Sequence, residues 1–91
     1  KFLLRRHGET IDLTPTEFSI LRVLAESPDR VFSRMQLMDK IQGGYGFEGY
    51  ERTIDAHVKN LRKKIEPDPS HPTYILTVYG IGYKFSGGGH E

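Results

Sequence analysis

Residues 52–65 read RTIDAHVKNLRKKI, five cationic side chains against one carboxylate. The whole chain has a formal net charge of only +1, so this segment's +4 leaves −3 for the remainder. Positive charge gathered on one element of an otherwise slightly acidic chain is the electrostatic footprint of a polyanion-binding surface. The residue types narrow the chemistry further. Lys and Arg hold phosphates, whereas Asn60, Thr53 and Asp55 carry donors and acceptors that can distinguish base edges in a major groove. If Ile54 is set at zero and each residue advances about 100°, then Ile65, Val58 and Leu61 fall within roughly 40° of it. That narrow apolar stripe must face a core. Lys59, Arg52, Lys63 and Ala56 fall on the opposite side, with Asp55 and Arg62 on one flank and Asn60 and Thr53 on the other. Small Ala56, in the middle of the cations, lets the backbone come close to what it meets. The plainer alternative is a solvated face that keeps the protein soluble. A face built only for solubility has no need of the mixture of amide, hydroxyl and carboxylate with the cations.

Other chemistries find little support in the residues. His7, His57, His71 and His90 are scattered, without HExxH or any paired-ligand spacing, and no metal site is expected from them. Cysteine is absent, which removes disulfide and thiolate chemistry. Asp12, Asp55, Glu17 and Glu66 show no pairing of a general acid with a base. Glu17 reads as a helix cap, and Asp55 as a groove-side group or an intrahelical partner of Lys59. Gly80-Ile81-Gly82 lacks the third glycine and the following helix of a phosphate-binding loop, so it reads as a turn. No catalytic residue and no cofactor is expected, and the chain does not read as an enzyme. The glycine-rich stretch GGYGFEGY carries aromatics but no Lys or Arg, which argues against a stacking platform for single strands. His57 lies near the rim of the apolar stripe, where packing and phosphate donation are both open to it.

The elements that must position these residues follow from pattern and punctuation. The chain has 91 residues, 36% hydrophobic and 27% charged, which describes one small domain with a single modest core. No apolar run approaches the roughly 18 residues of a membrane span, and the start has no signal-peptide core. A soluble, internal protein is therefore expected, and the opening on strand sequence without Met suggests a domain of a longer chain. Residues 2–6 and 10–13 read as a hairpin around His7, Gly8 and Glu9. TPTE then provides a capping box with Thr14 and Glu17, and Pro15 fits the first turn. Phe18, Leu21, Leu24 and Ala25 recur at helical spacing after it, widened by Ile20 and Val23, until Ser27-Pro28-Asp29 stops the run. A second capping box, SRMQ, starts at Ser33. Its helix presents Leu37, Met38 and Ile41 before Gly43 and Gly44. Residues 42–50 read as a loop. Three prolines in EPDPSHP end the basic helix near Glu66, and TYILTVYGIGYKFS reads as a hairpin with Tyr74, Leu76 and Val78 alternating on one arm and Tyr83 and Phe85 on the other. Residues 1–86 form one domain in this reading, and residues 87–91 a flexible tail. Three helices and a hairpin, with the third helix polar outward, make an α+β winged helix-turn-helix layout, with a short N-terminal antiparallel sheet.

LTPTEFSILRVLAESPDRVFSRMQLMDKI, ERTIDAHVKNLRKKIE and TVYGIGYKF together resemble the OmpR/PhoB family of response-regulator effector domains, over nearly the whole chain. The distinctive marks are LTPTEF opening the first helix, Arg-Thr-hydrophobic-Asp-x-His in the third, and Gly-hydrophobic-Gly-Tyr-Lys-Phe in the hairpin. The resemblance implies a bacterial, cytoplasmic transcription factor. Its receiver domain, not present in this chain, is phosphorylated on an aspartate by a sensor kinase. It then dimerises and places two effector domains on directly repeated half-sites in double-stranded DNA. It also implies a four-stranded N-terminal sheet, of which about two strands are evident here. Arg52, His57 and Lys59 match positions that hold phosphates, Thr53, Asp55, Ala56, Asn60 and Lys63 match the groove-facing side, and Arg62 fits either role. Gly43, Gly44, Tyr45, Gly46, Phe47 and Glu48 lie in the family's transactivation loop, which touches RNA polymerase in some members; packing against the domain is the alternative for Tyr45 or Phe47.

Two departures from the family pattern bear on specificity. Asn60 stands where many members have a base-reading Arg, and Asn pairs with adenine where Arg prefers guanine. Tyr79 replaces the Arg usual at the wing, whose candidate DNA contacts are then Tyr79, Tyr83 and Lys84. The expected function is sequence-specific binding of double-stranded DNA by the output domain of a two-component regulator. The alternative is a winged-helix protein-interaction module without DNA binding. If about four cations meet phosphates, log K should fall with log salt at a slope near −3.6.

Overall fold

The computed structural model describes residues 2–6, 8–42 and 51–87, with side chains for 8–41 and 53–87. In chain order the elements are β1 (Phe2–Arg6), β2 (Glu9–Leu13), α1 (Pro15–Glu26), α2 (Arg34–Gln42), α3 (Glu51–Ile65), β3 (Ile75–Val78) and β4 (Gly82–Phe85). β1 and β2 pair antiparallel from Phe2↔Leu13 to Arg6↔Glu9. Glu9 thus belongs to the ladder and not to the turn, and the connection is two residues long, with Gly8 at φ +83°. Only glycine takes that left-handed conformation at no steric cost.

The expected capping box of α1 forms. Thr14 Oγ1 accepts from the Glu17 N–H at 3.1 Å and Glu17 Oε1 accepts from the Thr14 N–H at 3.0 Å. The face that α1 buries is Glu17, Ile20 and Leu24. Of the expected apolar residues Leu24 and Ile20 are fully buried, while Phe18, Leu21, Val23 and Ala25 are half-buried, so the buried line runs to one side of the expected stripe. The shift arises because a charged residue joins the buried line: Lys64 Nζ donates to Glu17 Oε1 at 2.6 Å, so the carboxylate enters the core edge as half of an ion pair. α2 has its own capping box, Ser33 with Gln36 at 3.0 and 2.9 Å. Leu37 is fully buried, with Met38 and Ile41 packed against the core.

The core joins Leu13, Ile20, Leu24, Phe32 and Leu37 to the α3 stripe Ile54, Val58, Leu61 and Ile65 and to Ile75 and Tyr83 of the hairpin. α3 is followed directly by Glu66, a carboxylate only 4% exposed. It accepts from the N–H groups of Thr73, Tyr74 and Ile75 at 2.8 to 3.1 Å. One side chain therefore satisfies the donors of the strand entry after the proline turn. In β3–β4 the register runs Ile75↔Phe85, Leu76↔Lys84, Thr77↔Tyr83 and Val78↔Gly82. The core-facing residue of β3 is Ile75, so the expected alternation of Tyr74, Leu76 and Val78 is displaced by one residue, which turns the other face inward. The hairpin docks on the α1–α2 linker by a bridge between Phe32 and Tyr83, with N···O distances of 2.8 and 2.9 Å. Gly82 makes that approach possible: a Cβ there would sit 2.0 Å from the Phe32 carbonyl oxygen. The bend itself rests on Gly80, at φ +80° between Val78 and Ile81, whose N–H donates to the Val78 carbonyl at 2.9 Å. The architecture is an α+β winged helix-turn-helix. Among the described residues no helix is long and apolar enough to cross a membrane.

Candidate nucleic-acid interface

The orientation of α3 is fixed by its apolar stripe. Ile54, Val58 and Leu61 are fully buried and Ile65 nearly so, and at 3.6 residues per turn the opposite side must face solvent. Ala56, Lys59, Asn60 and Lys63 are exposed there, with Thr53, Asp55 and His57 half-buried beside them. Neither Lys59 nor Lys63 has an ion-pair partner among the described residues. Arg52 lies in the first turn of α3, and its side chain falls outside the described residues, as do Gly43, Gly44, Tyr45, Gly46, Phe47 and Glu48 of the loop.

Three residues assigned to the DNA face have other engagements. Arg62 turns to the hairpin: Nε and Nη2 donate to the Ile75 carbonyl at 3.1 and 2.8 Å, and Nη2 donates to Thr77 Oγ1 at 2.9 Å. Its guanidinium also lies 5.5 Å from the centroid of the Tyr83 ring, a cation–π contact. Tyr83 is 8% exposed, and its hydroxyl donates to Asp55 Oδ1 at 2.6 Å. Burial, and then the hydrogen bond to Asp55, push the Tyr83 phenol up to about 12, so it stays a neutral donor. Asp55 Oδ1 also accepts from Arg34 Nε at 2.9 Å. The carboxylate is thus held by α2 and β4, where sequence spacing had offered Lys59 as its partner. Arg34 and the hairpin residues 77–83 line one hollow beside it.

At the hairpin tip Tyr79 is 90% and Ile81 60% exposed, and Lys84 is half-buried on β4. The sequence offered little notice of Arg34, Lys64 or Glu66. One signal for Arg34 was available: a cation in the first turn of a helix opposes the helix dipole, and so calls for an anionic partner from elsewhere. No group of three or more His, Asp or Glu that could hold a metal ion occurs among the described residues.

Known proteins match this arrangement closely. The family model "Transcriptional regulatory protein, C terminal" matches residues 8–85. The DNA-binding response regulator MtrA of Mycobacterium tuberculosis is 47% identical over 79 residues, covering 87% of this chain and 34% of MtrA. The chain thus spans about a third of the length of the curated relatives it matches. Response regulator DrrB of Thermotoga maritima, an OmpR/PhoB homologue, aligns with a TM-score of 0.84 at 37% identity, over 94% of this chain and 38% of DrrB. The DNA-binding domain of response regulator AdeR, solved in complex with an intercistronic region, aligns at 0.76 and 31% identity, over 92% of this chain and 84% of that one. With the three-helix core, the docked hairpin and these matches in agreement, the chain belongs to the transcriptional regulatory protein C-terminal family, the winged-helix effector domains of OmpR/PhoB-type response regulators.

Proposed function

We propose that this domain binds double-stranded DNA sequence-specifically as the output unit of a two-component response regulator, with α3 in the major groove and the hairpin as the wing beside it. The observation that carries the reading is the outer face of α3. Lys59 and Lys63 stand exposed with Asn60 and Ala56 on a helix whose opposite side is wholly buried. Cations there hold phosphates, and Asn60 offers the bidentate amide that pairs with adenine. The reading is supported by AdeR, whose domain was solved on DNA, and by the naming of MtrA as a DNA-binding response regulator.

In this reading residues 1–86 are the effector unit, Arg52, His57 and Lys59 hold phosphates, and Thr53, Ala56, Asn60 and Lys63 face the groove. Lys84 and Tyr79 approach the backbone from the wing. A receiver domain elsewhere in the full protein, phosphorylated by a sensor kinase, pairs two such units on directly repeated half-sites in a bacterial cytoplasm. The loop 43–48 is the segment offered to RNA polymerase. The experiment is selection of target sites from a random duplex pool, repeated with Asn60→Ala. A defined half-site is expected, with preference relaxed at one base pair in the variant at a cost of about 1 to 3 kcal/mol. A pool that never enriches would remove sequence-specific binding.

A further inference from the structure

The contact between Asp55 and Tyr83 lies where three elements meet. A single oxygen, Asp55 Oδ1, accepts from Arg34 Nε on α2 and from the Tyr83 hydroxyl on β4. Asp55 itself belongs to α3. The backbone of α3 packs more closely on α2, α1 and β2 than on either wing strand. The helix and the wing are therefore joined chiefly by side chains: the core shared with Ile75 and Tyr83, Glu66 on the start of β3, and two polar contacts further along, Asp55 to Tyr83 and Arg62 to Ile75 and Thr77.

The wing has its own attachment, the Phe32 bridge, and the helix has its own, the buried stripe. The stripe also packs on Ile75 and Tyr83 in the shared core, but apolar packing is non-directional, so the hydrogen bonds between helix and wing bear most on the angle between them. From Tyr83 to the tip at Gly80 is three residues, about 10 Å of strand. A rotation of roughly 10° at this joint would move the tip by nearly 2 Å, against the roughly 0.5 Å tolerance of a productive contact.

We infer that Asp55 and Tyr83 are positioning residues for DNA recognition: their hydroxyl–carboxylate contact fixes the wing against the recognition helix, and specificity depends on it although it touches no base. The inference rests on the DNA-binding reading above. It reassigns Asp55 from reading a base to holding the frame, and it gives the buried Tyr83 a role that it could not have by contact.

The test compares wild type, Tyr83→Phe, Asp55→Ala and the double variant. Affinity is measured for a selected target duplex and for a random-sequence duplex, with thermal melting of each protein. Tyr83→Phe removes one hydroxyl and keeps the packed ring, so the fold is retained. It should weaken target binding roughly tenfold, the scale of one hydrogen bond to a charged group. Random-duplex affinity should stay within about twofold, because the exposed lysines that supply non-specific binding are untouched. Asp55→Ala should do at least as much, and the double variant no more than Asp55→Ala alone, since both changes cut one link. Target binding unchanged in Tyr83→Phe would overturn the inference. So would a changed preference at one base pair in Asp55→Ala alone, which would make Asp55 a base reader, or equal losses on both duplexes tracking a lowered melting temperature. If wild type shows no salt-sensitive binding to either duplex, the DNA reading fails and the inference with it.

Discussion

Two sets of charged residues share α3, and they have opposite fates. Lys59 and Lys63 stand in solvent on the outer face. Arg62, Lys64 and Asp55 are engaged at its margins, and so is Glu66 at its end, by the wing, α1 and α2. On a helical wheel Arg62 flanks the same side as Lys63. What separates them is the partner that the tertiary fold places within reach. Formal charge on a segment therefore overstates the charge it can offer to a ligand. Arg62, which the sequence leaves open to phosphate or groove, donates to the wing residues Ile75 and Thr77.

This division can be broken from either side. The largest effect should come from Glu66→Ala, which leaves the N–H groups of Thr73, Tyr74 and Ile75 without their acceptor. The Ile75 contact is buried and those of Thr73 and Tyr74 half-buried; an orphaned buried donor costs about 1 to 3 kcal/mol, so a loss of about 3 kcal/mol is expected in urea unfolding. A loss below about 1 kcal/mol would mean that water replaces the carboxylate. Arg62→Gln should follow at about 2 kcal/mol, for the charged hydrogen bonds to Ile75 and Thr77. Lys59→Ala should leave stability within about 0.5 kcal/mol, as an exposed change does.

The pair of Lys64 with Glu17 sharpens the engaged side through pH. Burial disfavours the Glu17 carboxylate, but the hydrogen bond from Lys64 and those within the Thr14 cap outweigh it, and the pKa is lowered from 4.5. A carboxyl whose folded pKa lies below its unfolded one stabilises above the unfolded value and loses that contribution as pH falls through the folded one. Lys64→Met should therefore cost about 1 to 2 kcal/mol at pH 7. Its difference from wild type should shrink as pH drops below 4.5. A penalty independent of pH would assign the effect to packing of the Lys64 stem.

Much of this arrangement is legible in the sequence where the signal is local. The stripe of Ile54, Val58, Leu61 and Ile65 follows from a period of 3.6, and both capping boxes follow from side chains three residues apart. The inward face of β3 is not legible in the same way. Leu76 and Val78 alternate as well as Ile75 and Thr77, and the choice between them depends on the dock with Phe32. The engaged side of α3 is harder still. Its contacts span 21 residues to Arg34, 28 to Tyr83 and 47 to Glu17, and no wheel drawn on one helix contains them. The departure at Tyr79 was visible from the start, and the structure places it at the exposed wing tip.

The most direct measurement is the salt dependence of random-duplex binding for wild type, Lys59→Ala/Lys63→Ala and Arg62→Gln, by fluorescence anisotropy on proteins shown to be folded. Each lost phosphate contact lowers the slope of log K against log salt by about 0.9. The account predicts a slope shallower by about 1.8 in the double lysine variant and unchanged in Arg62→Gln. An equal flattening by Arg62→Gln, or none by the two lysines, would contradict the division of α3 into a presented face and an engaged margin.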